Sequence, residues 1–150
     1  MGNKLVVTGE ESGKSVFSVV ADIEETVTSS GARIARLWGT DKPLSLPTTG
    51  IPDDYKPTLE HSDAPPGALR VSVIEFPEDG SKPPGRPFST PTVDVIIPIE
   101  GEITIGVDDG VEETLRVGDV LIQQGARHYW RRGSKRAKFV AIIVGATREG

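Results

Sequence analysis

The chain has no cysteine and only two histidines, His61 and His128. The first absence excludes disulfides, thiolate metal sites, iron–sulfur clusters and a thiol nucleophile. The second excludes any site built on three imidazoles. Long hydrophobic runs are also missing. Nothing approaches the ~18 consecutive apolar residues of a membrane-spanning helix, and Met1-Gly2-Asn3-Lys4 does not lead into a secretory apolar core. Met1-Gly2 superficially offers N-myristoylation, but position 6 of that motif wants Ser or Thr and here is Val6. A basic surplus is lacking too: 17 Lys and Arg against 22 Asp and Glu give a net charge of −5, the wrong sign for coating nucleic acid. These absences predict a soluble, cytoplasmic protein with neither a membrane nor a nucleic-acid partner. At 150 residues the chain is one domain's worth of sequence.

Proline and glycine are plentiful, with 12 and 17 copies. Eleven of the twelve prolines fall between Pro43 and Pro91, which rules long helices out of the middle of the chain. What remains are short β-branched runs: Leu5–Thr8, Ser15–Val20, Arg33–Trp38, Leu69–Phe76, Val93–Ile99, Glu102–Val107, Glu113–Val117, Val120–Gln123, His128–Arg131 and Lys138–Val144. Turn signals separate them at Gly9-Glu10, Asp79-Gly80, Glu100-Gly101, Asp109-Gly110, Gly118-Asp119 and Gly133-Ser134. Many short strands with Gly-bounded turns predict an all-β antiparallel sandwich or barrel. A turn or two of helix is expected near Asp53–Glu60, and no internal repeat is found. The Pro-rich stretch Asp41–Pro66 is too long for a hairpin and reads as a lid or wall segment, or as a passive crossover. Gly9 to Ser15 (GEESGKS) imitates a phosphate-binding loop, but its glycines are one residue too close and a strand pattern follows, so a plain hairpin is expected.

From Phe88 onward the chain reads FSTPTVDVIIPIEGEI, then, after a strand, RVGDVLIQQGARHYW. This stretch resembles the cupin superfamily, through a strand–Glu-Gly-Glu–strand–Gly-Asp-Val–strand–Gly-x-x-His pattern. Val6-Val7-Thr8-Gly9 and Arg36-Leu37-Trp38 through Asp41 are similar to a subgroup of small single-domain cupins. The resemblance implies a double-stranded β-helix, or jelly-roll barrel, with an N-terminal strand extension. Residues 1–150 would form one cupin domain: N-terminal strands over 1–40, the Pro-rich loop over 41–66 and the barrel core over 67–146. It also implies a homodimer. Gly101 and Gly118 suit the positive φ of tight turns, Asp119 suits a bond to turn backbone, and Gly125 would let the chain bend so that His128 points into the barrel.

The departures from the family pattern bear on chemistry. Its first motif is commonly G-x5-H-x-H-x3,4-E-x6-G and its second G-x5-P-x-G-x2-H-x3-N. Aligned on Gly101, the two histidine positions hold Phe88 and Thr90, the glutamate position Asp94 and the opening glycine position Lys82. In the second motif the first spacing is one residue shorter, Gln123 stands at the proline and Arg132 at the asparagine. Of three imidazole ligands only His128 is left. One histidine and one carboxylate fall short of the three or more protein ligands a transition metal needs, so no cofactor is expected. If a divalent metal bound, His128 and Asp94 would be its ligands, with His61 matching no ligand motif.

His128 is therefore read as an acid/base group, or as an inert relic of a ligand position. Asp94 would orient it or act as a second acid/base group, or is an ordinary polar residue. Phe88, Thr90, Thr92 and Asp94 share a face if the strand is regular. Trp130 shares one with His128 and could stack on a planar substrate or belong to the core, while Trp38, Phe76, Phe88 and Phe139 read as core or dimer contacts, with Phe88 also a candidate for substrate binding. Thr90, Gln124 and Arg127 are further candidates for substrate binding. Arg127, Arg131, Arg132, Lys135, Arg136 and Lys138 place six cations within twelve residues, leaving eleven against all 22 acids elsewhere. That cluster is a solvated hairpin or a partner for an acidic surface, or else it attracts an anionic substrate. The expected function is metal-independent isomerisation, dehydration or cyclisation of a small carbonyl, aromatic or polyketide-like substrate. The alternatives are a non-catalytic small-molecule binder and a metal-dependent oxygenase with non-standard ligands.

Overall fold

A computed structural model describes residues 2–55, 64–78 and 83–149. Among the described residues each of the ten β-branched runs forms a strand, and a two-residue strand adds an eleventh. They are β1 (Lys4–Glu11), β2 (Lys14–Asp22), β3 (Thr26–Val27), β4 (Arg33–Thr40), β5 (Leu69–Phe76), β6 (Thr92–Glu100), β7 (Glu102–Gly106), β8 (Glu112–Arg116), β9 (Leu121–Gln124), β10 (Tyr129–Arg131) and β11 (Ala137–Gly145). Every pairing is antiparallel. A six-stranded sheet runs β3-β4-β5-β11-β6-β9 and a three-stranded sheet runs β10-β7-β8, while β1 and β2 form a hairpin of their own.

Period-two alternation sets the faces. Along β6, Thr92, Asp94, Ile96 and Pro98 are buried while the residues between them are half-exposed, and β11 alternates in the same way. Ile34, Ile74, Ile96, Phe139 and Ala141 of the larger sheet meet Ile103 and Leu115 of the smaller one in a single core. The two sheets are thus the walls of a jelly roll. Each fully buried isoleucine contributes ~1.5–3 kcal/mol through water exclusion.

The turns follow the sequence with one correction. Gly9-Glu10 lies inside β1, where a Cβ on Gly9 would sit 2.5 Å from Thr49 Oγ1. The hairpin turns instead at Ser12-Gly13, both with positive φ (50° and 76°), as a two-residue loop matched to strand twist requires. The phosphate-loop imitation is therefore a hairpin. Gly101 and Gly118 have φ of 68° and 98°, and Asp119 Oδ2 accepts a 2.7 Å bond from the Arg116 N–H.

Of the expected helix, Asp53 and Asp54 form a turn closed by a 3.0 Å bond from Tyr55 N to Pro52 O. Its remaining positions, with His61, lie outside the described residues, as do Asp79 and Gly80. The described part of the Pro-rich stretch lies along the N-terminal hairpin, held by Glu10 N to Thr48 O (3.1 Å) and Gly50 N to Ser18 Oγ (3.0 Å). Among the described residues no helix is long and apolar enough to cross a membrane.

Candidate functional site

Inward-facing residues of the larger sheet and of β10 enclose a chamber of about 320 Å³. Its walls include Phe76, Phe88, Asp94, His128, Trp130 and Phe139, and Thr28 to Ser30 with Arg132 line its outer end. Aromatics are 5% of the chain, yet three of its four phenylalanines and one of its two tryptophans meet here. Trp130 stacks on Phe139 at 5.9 Å and 23°, and Phe76 meets Phe139 edge-on at 5.5 Å. The His128 ring lies between Phe88, at 4.5 Å, and Trp130, at 5.7 Å.

Local backbone aims the imidazole inward. Gly125 takes φ 63°, bending the chain after β9. Two 2.9 Å backbone bonds then pair His128 with Phe88 in an isolated antiparallel bridge. His128 is only 2% exposed, and its Nδ1 lies 2.8 Å from the Ala126 carbonyl oxygen. A carbonyl only accepts, so Nδ1 carries the proton and a neutral ring keeps Nε2 as its acceptor. Nε2 has no hydrogen-bond partner among the described residues.

Asp94 is 5% exposed. Its Oδ2 accepts a 3.2 Å bond from Gln123 Nε2, whereas Oδ1 is buried with no partner. Gln123 stands opposite Asp94 in the β6–β9 register. Its Oε1 accepts a 2.6 Å bond from the Ala126 N–H, which fixes the amide with its nitrogen toward Asp94. One chain of bonds therefore runs Asp94–Gln123–Ala126–His128. It occupies one side of each candidate acid/base group and leaves Asp94 Oδ1 and His128 Nε2 without a protein partner.

The structure brings together Phe88, Asp94, His128 and Trp130. It does not bring in the other three candidates. Thr90 is buried and bonded to Thr92 Oγ1 at 2.7 Å; it lies before β6 begins, so strand alternation does not extend to it. Gln124 alternates to the outer side of β9 and lines a separate groove of about 710 Å³ between the edges of β8 and β9, where His128 is also found. Arg127 is exposed, its guanidinium 3.6 Å from Asp108. Arg132, Phe76 and Phe139 line the chamber, and Gln123, which lines the neighbouring groove, is tied to it through Asp94; none of the four had been assigned to the site. A polar residue at an inward β9 position was the signal for Gln123, and the spacing His128, Trp130, Arg132 was the signal for Arg132.

The cation cluster is largely answered from within the chain. Arg131 bonds Glu112, Arg136 bonds Glu100, and Lys138 lies 3.7 Å from Glu25. Arg132 stands over the Phe76 ring at 4.3 Å and donates to Ser30 O and Oγ at 3.1 and 3.2 Å. The jelly roll raises the question of a metal. Among the described residues no three His, Asp or Glu side chains come together, and Phe88 packs its ring on the one imidazole present. One ring nitrogen and one carboxylate oxygen do not make a transition-metal site.

No family model matches the chain. Oryzines biosynthesis cluster protein J of Aspergillus oryzae is 35% identical over 81 residues, which are 51% of this chain and 44% of that protein. Phomopsin biosynthesis cluster protein C' of Diaporthe leptostromiformis is 31% identical over 72 residues, 48% of this chain and 36% of that protein. The chain thus spans less than half the length of these curated relatives. Among solved structures, an RmlC-like cupin from Shewanella frigidimarina superposes with a TM-score of 0.52 at 17% identity, covering 84% of this chain and 86% of that one. Sheet order, inward alternation and this superposition over most of both chains agree: the chain has the cupin fold.

Proposed function

We propose that the chain is a small-molecule enzyme that moves a proton without a metal, with His128 as the acid/base group and Asp94 beside it. The reactions that suit the site are isomerisation, dehydration or cyclisation of a small carbonyl, aromatic or polyketide-like compound. The observation that carries this reading is the bonded chain from Asp94 through Gln123 and Ala126 to His128. It fixes one side of each group in a chamber lined with aromatic rings while leaving the atoms that exchange protons unbonded. An inert relic of a ligand position has no need of such support. The relatives' names, which place those proteins in biosynthesis clusters, support a part in making a small product.

In the proposed step a C–H or O–H proton of the bound molecule passes to His128 Nε2. The electron pair it leaves stays within the substrate, shifting a double bond or expelling a leaving group. The imidazolium so formed is held by Nδ1–H on the Ala126 carbonyl and by the negative charge of Asp94, and it returns the proton to a second atom. No oxidant enters. A positioned acid/base group is worth ~10²–10⁴-fold in rate.

The test is deuterium exchange. Cyclic and aryl ketones are incubated with the protein in D₂O and followed by proton NMR, first with wild type and then with His128→Ala. Exchange catalysed by wild type and reduced ~10²–10⁴-fold in the variant is expected. Equal exchange by both proteins would sink the reading. Ketones that bind and never exchange would make the chain a binder instead.

A further inference from the structure

The chamber is polarised in its hydrogen bonding. Among its buried lining residues, Asp94 keeps Oδ1 without a partner, and His128, with Nδ1 on the Ala126 carbonyl, makes no bond at Nε2 to the described residues. A carboxylate oxygen and an unprotonated ring nitrogen are both acceptors. One N–H of the Gln123 amide is on Asp94 Oδ2, and its Oε1 is on the Ala126 N–H. The donors that line the chamber, the hydroxyls of Thr28, Ser29 and Ser30 and the guanidinium of Arg132, sit at the outer end. Between the ends the walls are aromatic. A buried carboxylate oxygen with no protein partner is a standing cost, relieved by a ligand that brings it an N–H or O–H.

We propose that the chamber selects small planar rings that enter donor-first, a phenol- or enol-type hydroxyl pointing at Asp94 and His128. A volume of about 320 Å³ is near the low end of ligand pockets, which span ~300–1,000 Å³, and suits one ring or a fused pair. Trp130, Phe139 and Phe88 line it with aromatic rings. A carboxylate at the inner end is disfavoured, because it would face the Asp94 charge with no donor between them. In this proposal the anionic substrate that was one of the readings of the cation cluster gives way to a neutral hydroxylated one. This inference deepens the acid/base reading of the same site and rests on it, since a hydroxyl that enters with its single proton toward these two acceptors can give it to His128 Nε2.

The test is equilibrium binding, which needs no turnover and so stands or falls separately from the exchange experiment. Phenol, fluorobenzene and benzoate share a ring and differ in the group offered. Binding is read from the imidazole ¹⁵N resonances, where only His61 and His128 contribute, and from tryptophan fluorescence. Phenol should bind roughly tenfold or more tighter than fluorobenzene, as a site built for a hydroxyl requires, and benzoate no tighter than fluorobenzene. Asp94→Asn keeps the shape and replaces an acceptor by an N–H₂ donor, so the preference for phenol over fluorobenzene should fall to about unity. An amide spectrum unchanged away from β6 shows that the variant is folded. Equal binding of phenol and fluorobenzene by wild type, tighter binding of benzoate, or an undiminished preference in a folded Asp94→Asn would each overturn the proposal. Loss of exchange with the preference intact would overturn only the catalytic reading.

Discussion

Arg70 and Asp94 are equally buried, each 5% exposed. They occupy one inward row of the six-stranded sheet, with Ile143 of β11 between them. The protein treats the two charges in opposite ways. Arg70 donates to the carbonyls of Thr40 and Leu69 at 3.1 and 3.2 Å and forms an ion pair with Asp41. Asp94 receives one bond, from Gln123, and keeps its other oxygen bare. A buried charge answered by the chain itself closes the end of β4 and β5. A buried charge answered by half is the position at which the proposed ligand would bring its donor.

The sharpest way to break this comparison is to remove each charge. Arg70→Met strands the Asp41 carboxylate and leaves the two carbonyls without their donor, so it should destabilise the fold by ~3 kcal/mol, the lower end for a broken buried pair because Asp41 is partly exposed. Urea unfolding at pH 7 measures it, and a loss under ~1 kcal/mol would mean that Arg70 is not structural. Asp94→Asn should do the reverse. Replacing a half-satisfied carboxylate by an amide that Gln123 can still bond raises stability by ~1 kcal/mol, while the binding preference for phenol collapses. Should both variants destabilise equally, the two charges would be alike and Asp94 would lose its claim to a ligand.

Much of this was legible in the sequence, and the reason is periodicity. Ten β-branched runs became ten strands because alternation and Gly-bounded turns are local properties. The pair His128 and Asp94 was legible because motif positions carried it. Arg127 and Thr90 misled for lack of register: nothing local shows that Asp108 stands across from Arg127 or that alternation fails before Thr92. Gln123 was visible as a missing proline and as a polar residue in the β9 run, neither of which tells its partner. Its role comes from lying opposite Asp94 in the β6–β9 register, 29 positions away along the chain. Gly9 shows the same limit, since its constraint is Thr49, far along the chain.

The smallest expected effect tests whether charge placed outside the chamber is merely supportive. On the outer face of the smaller sheet, Glu112 accepts from Arg131 NH2 at 2.6 Å and from Tyr129 Oη at 2.8 Å. The Arg131 bonds first, and the Tyr129 bond second, hold its carboxyl below the ordinary carboxylate range. A carboxyl lowered on folding stabilises the native state above the unfolded-state value, and that contribution is lost as pH falls through the lowered one. Glu112→Gln should therefore be slightly less stable than wild type at pH 7, and the gap should close on acidification below the ordinary carboxylate range. The site is fully exposed, so the difference is also screened by salt. Tyr129 and Arg131 flank Trp130, which faces the other way, into the chamber. If the outer network only steadies β10, phenol binding at neutral pH is the same in Glu112→Gln as in wild type. A weakened phenol complex would instead show that the chamber depends on charges it does not contain, and the contrast between answered and unanswered charge would have to extend across the sheet.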